Sequence, residues 1–221
     1  MIIEPVTALV FIKEVSERVP SKNFRMLGDK PLYQIIIDTL RNCRLISKVL
    51  VNTDSNVIAD YYQHDDFVYI QQRSNYLKKI KHNEANEIIN EMIQGASDQV
   101  FFNTHTTNPM LSSSTIDAFI SIYFGSQYDS MFMATKFNAR FWSSDINPLN
   151  FKLGEIYKTQ DLDPIYLDNS CGYLFKRELF LKKNNRLAGN IGLMEIDELE
   201  SIDIDTESQF ELASKLYSGS Q

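Results

Sequence analysis

Three basic side chains, Arg18, Lys22 and Arg25, occur close together near the N-terminus. They follow an apolar run, so we expect them to lie on a loop at the end of a buried strand. Arginine can bind phosphate oxygens through two parallel hydrogen bonds, and lysine supplies a compact positive charge. This loop can therefore hold an anion such as a triphosphate. The alternative is a basic loop that faces solvent, as most charged residues do.

Two carboxylates near the C-terminus form a second group with possible chemistry. Asp203 and Asp205 are two residues apart, and in an extended strand such residues project to the same face. Paired carboxylates on one face can bind a hard cation such as Mg²⁺. The alternative is that one aspartate caps the helix predicted to follow, while the other is exposed.

Strands and helices are predicted to alternate between these two groups. Val6 to Ile12 is a short run rich in β-branched residues, which predicts a buried strand. Apolar residues recur at helical spacing between residues 31 and 40, and Pro31 suits a first helical turn. Further strands are predicted at 48–54, 68–71, 99–103 and 173–175, and further helices at 56–62, 84–93, 112–124, 177–181 and 207–216. This order predicts a three-layer α/β fold with a mainly parallel sheet, which binds ligands at the carboxyl ends of its strands.

The pattern changes between residues 130 and 166, where short strand-like pieces rich in aromatic residues are interrupted by Asn147 and Pro148. We interpret this segment as a small β-rich arm inserted into one domain that consists of residues 1–129 and 167–221. Its aromatic residues Phe137, Phe141 and Trp142 suit an interface, although core packing explains them equally well.

Composition limits the classes of partner. The chain has 221 residues and a formal net charge of -7, which argues against general binding of nucleic acid. No apolar run approaches the roughly 20 residues needed to cross a membrane, and the first residues lack a signal-peptide pattern. We therefore expect no membrane association and a cytoplasmic location. Cys43 and Cys171 are far apart in sequence, which favours reduced thiols.

Both groups of candidate residues also resemble a known family. The stretch from Lys13 to Asn23, followed by Gly28-Asp-Lys-Pro-Leu32, is similar to the nucleotide-binding signature of CMP-sialic acid and CMP-KDO synthetases. Ser201 to Thr206 resembles the C-terminal motif of that family, and the matches occur in family order. The resemblance implies a Rossmann-like nucleotidyltransferase fold. It also implies that the arm crosses to a second subunit, giving a homodimer, and helps to close the sugar site.

The resemblance implies roles for individual residues. The nucleotide contacts would be Lys13, Ser16, Arg18, Lys22, Asn23, Arg73 and Thr107. Arg18 and Lys22 would lie near the triphosphate of CTP and, together with Asp205, would be catalytic. Asp203 and Asp205 would bind Mg²⁺. The sugar contacts would be His105, Gln160, Tyr166 and Asn169. Asp54 resembles an acidic residue of the family, although capping of the following helix explains it equally well.

Several positions depart from the family's pattern, and four of them raise the question of whether the chain is active. Glu17 replaces a usual lysine, Val15 replaces a glycine or small polar residue, and Leu111 and Thr159 replace arginines. The carboxylate of an acidic sugar must then bind another cation, and the candidates are Lys136, Arg140, Lys158 or a residue of another subunit. The expected reaction is transfer of CMP from CTP to an acidic sugar. Two alternatives stay open: a nucleotidyltransferase with a sugar-phosphate acceptor, and a degenerate homologue that binds without turnover.

Overall fold

The computed structural model describes residues 4, 6–16, 18–79 and 84–219, with the backbone alone for residues 218 and 219. The strands are β1 (Val6–Ile12), β2 (Met26–Leu27), β3 (Lys30–Pro31), β4 (Ile46–Thr53), β5 (Val68–Gln72), β6 (Val100–Thr104), β7 (Ser130–Phe137), β8 (Ile165–Lys176) and β9 (Ile191–Glu195). The helices are α1 (Leu32–Arg41), α2 (Asn56–Tyr61), α3 (Glu84–Gln94), α4 (Ser113–Gly125), α5 (Arg177–Lys183) and α6 (Glu207–Gly219). Short 3-10 turns occur at Lys22–Phe24, Leu77–Lys79 and Thr159–Asp161.

Seven of the described strands form one central sheet in the order β5-β4-β1-β6-β8-β7-β9. Strands β5, β4, β1 and β6 are parallel to one another, and β9 is parallel to β7. Strand β8 runs antiparallel to both of its neighbours. The predicted α/β fold with a mainly parallel sheet is confirmed.

The alternation of side chains along β1 shows how the sheet separates two hydrophobic layers. Ala8 and Val10 pack into one core cluster with residues of α1 and α4, whereas Leu9 packs into another cluster with residues of α3. Successive side chains of a strand point to opposite faces, so a strand that is covered on both sides must be apolar throughout. The three layers therefore follow directly from the apolar run in the sequence.

A short hairpin that the sequence interpretation did not include lies between the N-terminal loop and α1. Strands β2 and β3 pair with each other and are joined through Gly28, whose φ of 65° suits glycine because it has no Cβ. Pro31 belongs to this hairpin and precedes α1 instead of occupying its first turn. The hairpin rests on the C-terminal helix, since Leu27 packs against Phe210 and Ala213 in a third core cluster.

The inserted segment differs from the predicted arm of residues 130–166. Strand β7 pairs with β8 and β9 in the central sheet, so a boundary at residue 130 falls inside the main domain. The arm of the folded chain is therefore the shorter segment of residues 138–164. Within these residues, all of which are described, the strand pairing consists of one isolated bridge between Trp142 and Pro148. The arm is thus mostly irregular, because its short aromatic pieces are too interrupted to form a ladder.

Two further expectations concern thiols and membranes. Cys43 and Cys171 are both free and buried, as expected. Within the described ranges, no helix combines the length and apolar character that a bilayer span requires.

Candidate functional site

A cleft with a volume of about 1010 Å³ is bordered by residues that follow the carboxyl ends of β1, β4 and β5. Its charged lining is mainly basic. The basic side chains are Lys13, Arg18, Lys22, Arg73, Lys78 and Lys79, and the acidic ones are Asp54 and Glu84. The whole chain has a net charge of -7, so this excess of positive charge is local. The cleft suits a multiply charged anion at the edge where open α/β sheets bind ligands.

Buried hydrogen bonds fix the N-terminal loop in place. The Asn23 side-chain amide donates to the carbonyl oxygen of Lys13 over 2.8 Å, and the Thr106 hydroxyl donates to Asn23 Oδ1 over 2.7 Å. Asn23 is buried and does not line the cleft. Its contacts therefore tie the loop to the end of β6, and they position Lys22 on the adjoining 3-10 turn.

The early loop and the late acidic segment meet at one place. Lys22 Nζ donates to the carbonyl oxygen of Ile204 over 2.5 Å and lies 3.7 Å from Asp205 Oδ1. Arg18 pairs with the other oxygen of the same carboxylate over 2.7 Å. Burial lowers the pKa of Lys22, and the nearby carboxylates of Asp205 and Asp203 oppose that shift. Cations and carboxylates 187 residues apart in sequence are thus brought into direct contact.

The segment that carries Asp203 and Asp205 is not the strand that the sequence predicted. Residues 202–205 are irregular, and the Ile204 N–H donates to the carbonyl oxygen of Thr107 over 2.9 Å. Ile204 is fully buried between its two acidic neighbours. Burial of this one apolar residue keeps both aspartates beside Lys22 without a sheet ladder.

Asp203 has the environment of a ligand residue. Its Oδ1 is buried and has no hydrogen-bond partner among the described residues. Burial raises the pKa of Asp203, and the neighbouring Asp205 adds to that rise, whereas a hydrogen bond with Thr107 opposes it. Two carboxylates suit the hard oxygen preference of Mg²⁺, so these residues fit that ion. No set of three or more potential protein ligands occurs in the described ranges, which leaves further ligands to water or phosphate oxygens.

Arg73 is buried and is held by a neutral partner. Its Nε donates to Asn52 Oδ1 over 2.8 Å, and its guanidinium also reaches the backbone carbonyl of Asn52 over 3.3 Å. Burial lowers the pKa of the guanidinium, although arginine stays charged at neutral pH. No ion pair to Arg73 is formed within the described part of the chain, so its charge is available to a ligand in the cleft.

The other residues implicated in nucleotide binding divide into two groups. Lys13 and Ser16 line the cleft, where Lys13 pairs with Glu84 over 2.7 Å. Thr107 does not line it and instead supports the acidic segment. Asp54 lines the cleft and accepts a hydrogen bond from the N–H of Glu14 over 2.8 Å. The cap position of α2 is Ser55, so Asp54 links two strand ends instead of capping that helix.

Two cleft residues were missed by the sequence interpretation. Lys78 and Lys79 lie on the 3-10 turn that follows β5 and face the same cleft as Lys22. The sequence does contain a signal, because adjacent lysines occur shortly after Arg73 at the end of a predicted strand. These two lysines can be assigned to the cleft only when the position of the turn in the fold is known.

The four departures from the family pattern lie in different environments. Val15 lines the cleft with 73% of its surface exposed, and Thr159 is exposed on the arm. Leu111 is buried in the core, where it packs as an apolar residue. Glu17 lies outside the described residues. Leu111 does not line the cleft, so its position contributes no side chain to a ligand bound there.

Of the four predicted sugar contacts, His105 lies nearest the cleft cations. It packs edge-on against Phe11, with ring centroids 4.8 Å apart, and its Nε2 is 3.5 Å from a guanidinium nitrogen of Arg186. Burial, Arg186 and Lys22 together lower the pKa of His105 to about 3. His105 is thus neutral near pH 7 and too weak a base to remove a proton efficiently, but it can form hydrogen bonds.

A second, smaller cavity of about 340 Å³ adjoins the cleft at Glu84. The other three predicted sugar contacts line neither of these two spaces. Asn169 is buried, where its amide donates to Thr135 and its oxygen accepts from the N–H of Cys171. The Tyr166 hydroxyl donates to Glu195 over 2.8 Å, and Gln160 is exposed on the arm. The structure therefore does not bring these three residues together with His105.

Comparison with known proteins provides independent information about this arrangement. A family model described as "Cytidylyltransferase" matches residues 9–219. The chain is 23% identical over 211 residues to the "Post-translational flagellin modification protein B" of Campylobacter coli, an alignment that covers 91% of this chain and 90% of that protein.

Solved structures of two other enzymes have a similar fold. A CMP:2-keto-3-deoxy-manno-octonic acid synthetase complexed with CTP superposes with a TM-score of 0.71 and 11% identity, covering 99% of this chain and 100% of that one. A 4-diphosphocytidyl-2C-methyl-D-erythritol synthase from Anaerococcus prevotii superposes with a TM-score of 0.68 and 11% identity, covering 97% and 99%. At these identities the structural comparisons establish the fold.

Proposed function

Because the chain belongs to the cytidylyltransferase family, we propose that it transfers CMP from CTP to an acidic sugar and releases pyrophosphate. The observation that carries this proposal is the meeting of Arg18 and Lys22 with Asp205 at the edge of a basic cleft. The acidic acceptor is supported by similarity to a flagellin modification protein and by the fold shared with a synthetase that acts on an octonic acid.

The basic cleft would bind the triphosphate of CTP. Lys22 is firmly held, since its side chain is 10% exposed and its ammonium group already has two oxygen neighbours. Arg18 is 69% exposed and can exchange its contact with Asp205 for a phosphate oxygen. Preorganised positive charges around the phosphates stabilise the transition state, because these side chains need to move little as the leaving group gains negative charge.

Asp203 and Asp205 would hold Mg²⁺, which when bound neutralises charge on the triphosphate and on the departing pyrophosphate. The contribution of the chain is to hold these carboxylates beside the basic cleft, although burial raises the pKa of Asp203. Lys22 and Arg18 favour the ionised form of Asp203, and the hydrogen bond with Thr107 favours it as well. We propose these two carboxylates as the metal ligands on that basis.

In the proposed reaction an anomeric hydroxyl of the sugar attacks the α-phosphorus of CTP. A new bond forms between that oxygen and phosphorus, the bond to the bridging oxygen of the β-phosphate breaks, and pyrophosphate leaves. The hydroxyl proton passes to solvent. His105 serves as a hydrogen-bonding residue here, since a group with a pKa of about 3 is a poor base near neutral pH.

We also propose that the protein is a homodimer formed through the arm. The arm presents several large apolar side chains to solvent, including Ile146 with 76% and Ile156 with 98% of its surface exposed. Several large apolar side chains exposed on one segment suit an interface. Sedimentation of the protein and of an Ile146→Ser/Ile156→Ser variant tests this point: the variant should become monomeric, and a monomeric unmodified protein would contradict the proposal.

The decisive experiment is incubation with CTP, Mg²⁺ and a panel of nonulosonic and octulosonic acids, with products identified by mass. We expect a CMP-sugar and one equivalent of pyrophosphate, and a chelator should abolish both. Sugar phosphates and alditol phosphates form the second arm of the panel. Product from these acceptors alone would contradict the acidic-sugar proposal, and CTP binding by calorimetry without pyrophosphate release would identify a binding protein without turnover.

A further inference from the structure

A smaller cavity of about 340 Å³ lies beside the basic cleft and has no role in the site described so far. Its lining is polar and comes from distant parts of the chain. The lining residues are Glu84, Ala85, Asn86, Asp168, Tyr173, Asn185, Arg186 and Leu187. Glu84 borders both cavities, so the two spaces adjoin at the start of α3. A ligand in the smaller cavity would therefore be a neighbour of a ligand in the cleft.

Arg186 is the cation of this cavity, where it forms no ion pair, although the carboxylate of Asp168 is near enough to act on its charge. One guanidinium nitrogen donates to Asn103 Oδ1 over 2.7 Å, and the guanidinium carbon lies 3.5 Å from the centre of the Tyr173 ring. No described carboxylate lies within ion-pair distance of it. A guanidinium that is enclosed, oriented by a neutral amide and stacked on an aromatic ring is prepared for an anionic partner.

His105 shows that this cation lies close to the phosphate-binding cations. Its imidazole is 3.5 Å from Arg186, and the positive charges of both Arg186 and Lys22 depress its pKa. His105 is therefore within electrostatic range of both cations. An acceptor anchored at Arg186 would have its reactive end directed toward the phosphates bound near Lys22.

We propose that Arg186 binds the carboxylate of the acidic acceptor and selects for it, an inference that rests on the proposed function. The cations considered from the sequence are less suitable. Lys136 lies 3.5 Å from Glu195, and the guanidinium of Arg140 donates to the Tyr157 carbonyl within the arm. Neither they nor Lys158 lines the cavity. Arg186 thus supplies the positive charge that the arginines missing at Leu111 and Thr159 do not.

Asp168 gives the same cavity a second kind of contact. Its Oδ1 accepts hydrogen bonds from the Tyr173 hydroxyl over 2.5 Å and from the N–H of Ser170 over 3.1 Å. A carboxylate held in this way can accept hydrogen bonds from sugar hydroxyls, and its negative charge also acts on Arg186. The cavity therefore suits an acceptor with an anionic group at one end and hydroxyl groups along its length.

The test compares an acidic acceptor with its carboxamide, which has the same shape but no charge. For the unmodified protein, the KM of the carboxamide should exceed that of the acid by about 10- to 100-fold, as expected for loss of a charged hydrogen bond. Arg186→Gln should raise the KM of the acid by a similar factor and remove the discrimination, while the KM of CTP stays unchanged. Arg186→Lys should restore part of the preference for the acid.

Lys136→Gln is the matched control, since it removes one positive charge outside the cavity and should leave the discrimination intact. Thermal unfolding of each variant shows whether the substitution disturbs the fold. A purely structural role of Arg186 would weaken acid and carboxamide equally, and that result would overturn the inference. If the unmodified protein transferred CMP to no acid at all, the proposed function itself would fail, which is a separate outcome.

Discussion

Arg73 and Arg186 are positioned in the same way but in different parts of the site. Each guanidinium donates to the side-chain oxygen of a fully buried asparagine on a parallel strand, Asn52 for Arg73 and Asn103 for Arg186. Burial lowers the pKa of both groups. A neutral amide orients each cation without cancelling its charge. Arg73 lines the large cleft and Arg186 lines the smaller cavity. A hydrogen bond to a buried asparagine therefore orients one cation in each of two neighbouring cavities.

Two other cations of the large cleft are arranged differently from this pair. Lys13 and Arg18 are 48% and 69% exposed, and each is paired with a carboxylate of the chain itself, Glu84 and Asp205 respectively. Exposed pairs of this kind contribute little stability, so they can be exchanged for phosphate contacts at small cost. The cleft therefore combines fixed cations with exchangeable ones, whereas the smaller cavity relies on one fixed cation.

The largest expected effect comes from removing a fixed cation of the cleft. Lys22→Met keeps most of the length and apolar character of the side chain but removes the ammonium group beside Asp205 and the Ile204 carbonyl. Loss of one preorganised electrostatic contact typically lowers the rate about 100- to 1000-fold. We expect a decrease of that order in kcat, measured as pyrophosphate release, with the KM of the acidic acceptor nearly unchanged.

Lys30→Met is the matched control for this variant. Lys30 pairs with Asp38 over 2.6 Å and does not line the cleft, so its substitution should leave turnover unaltered. A Lys22→Met enzyme that retained full kcat would remove the distinction between fixed and exchangeable cations on which the comparison depends.

Local sequence patterns were sufficient to predict most of the fold. The apolar run of β1 and the helical spacing of α1 each mark side chains that must be buried. Such a pattern can be recognised within a few consecutive residues, without knowledge of the rest of the fold. The hairpin of β2 and β3 was not predicted because its pairing is too short to give a pattern. The boundary of the arm was misplaced because β7 and a strand-like piece in the arm have similar local compositions.

The site was predictable where its residues belong to contiguous stretches. Arg18 and Lys22 follow a strand directly, and the resemblance placed Arg73 at another strand end. Arg186 gave no comparable signal, since it lies in the loop after α5 and reaches Asn103 only through the packing of the sheet. The predicted roles of Gln160, Tyr166 and Asn169 depended on resemblance alone, and none of the three lines either cavity.

The second prediction concerns His105, whose pKa is lowered by burial and by the positive charges of Arg186 and Lys22. Its folded-state pKa of about 3 is below its ordinary value of 6.5, so the unfolded chain binds a proton that the folded chain does not. Stability is therefore fully present above pH 6.5 and is lost as pH falls toward 3, by up to about 1.4 kcal/mol per pH unit. Chemical unfolding between pH 7.5 and 5 should show this slope, and His105→Gln should reduce it.

The control for this measurement is His64→Gln, which removes an exposed histidine located outside both cavities. The slope should be unchanged in that variant. If His105→Gln had the same slope as the unmodified protein, the imidazole would be neither buried nor in the positive field of Arg186 and Lys22, and the electrostatic link between the two groups of cations would lose its support.

The smallest expected effect tests the exchangeable cations through Glu84, the acidic residue that borders both cavities. Glu84→Gln removes the partner of Lys13 and a negative charge that repels triphosphate. We expect the Kd of CTP, measured by calorimetry, to fall by about 2- to 5-fold in 50 mM salt, in line with the weak coupling of exposed pairs. This gain in affinity should be smaller in 500 mM salt, because salt screens the charges.

Glu87→Gln on the same helix, which removes a charge that does not line the cleft, should have no effect. Weaker CTP binding in Glu84→Gln would mean that Glu84 positions Lys13 for the phosphates, and Lys13 would then belong with the fixed cations.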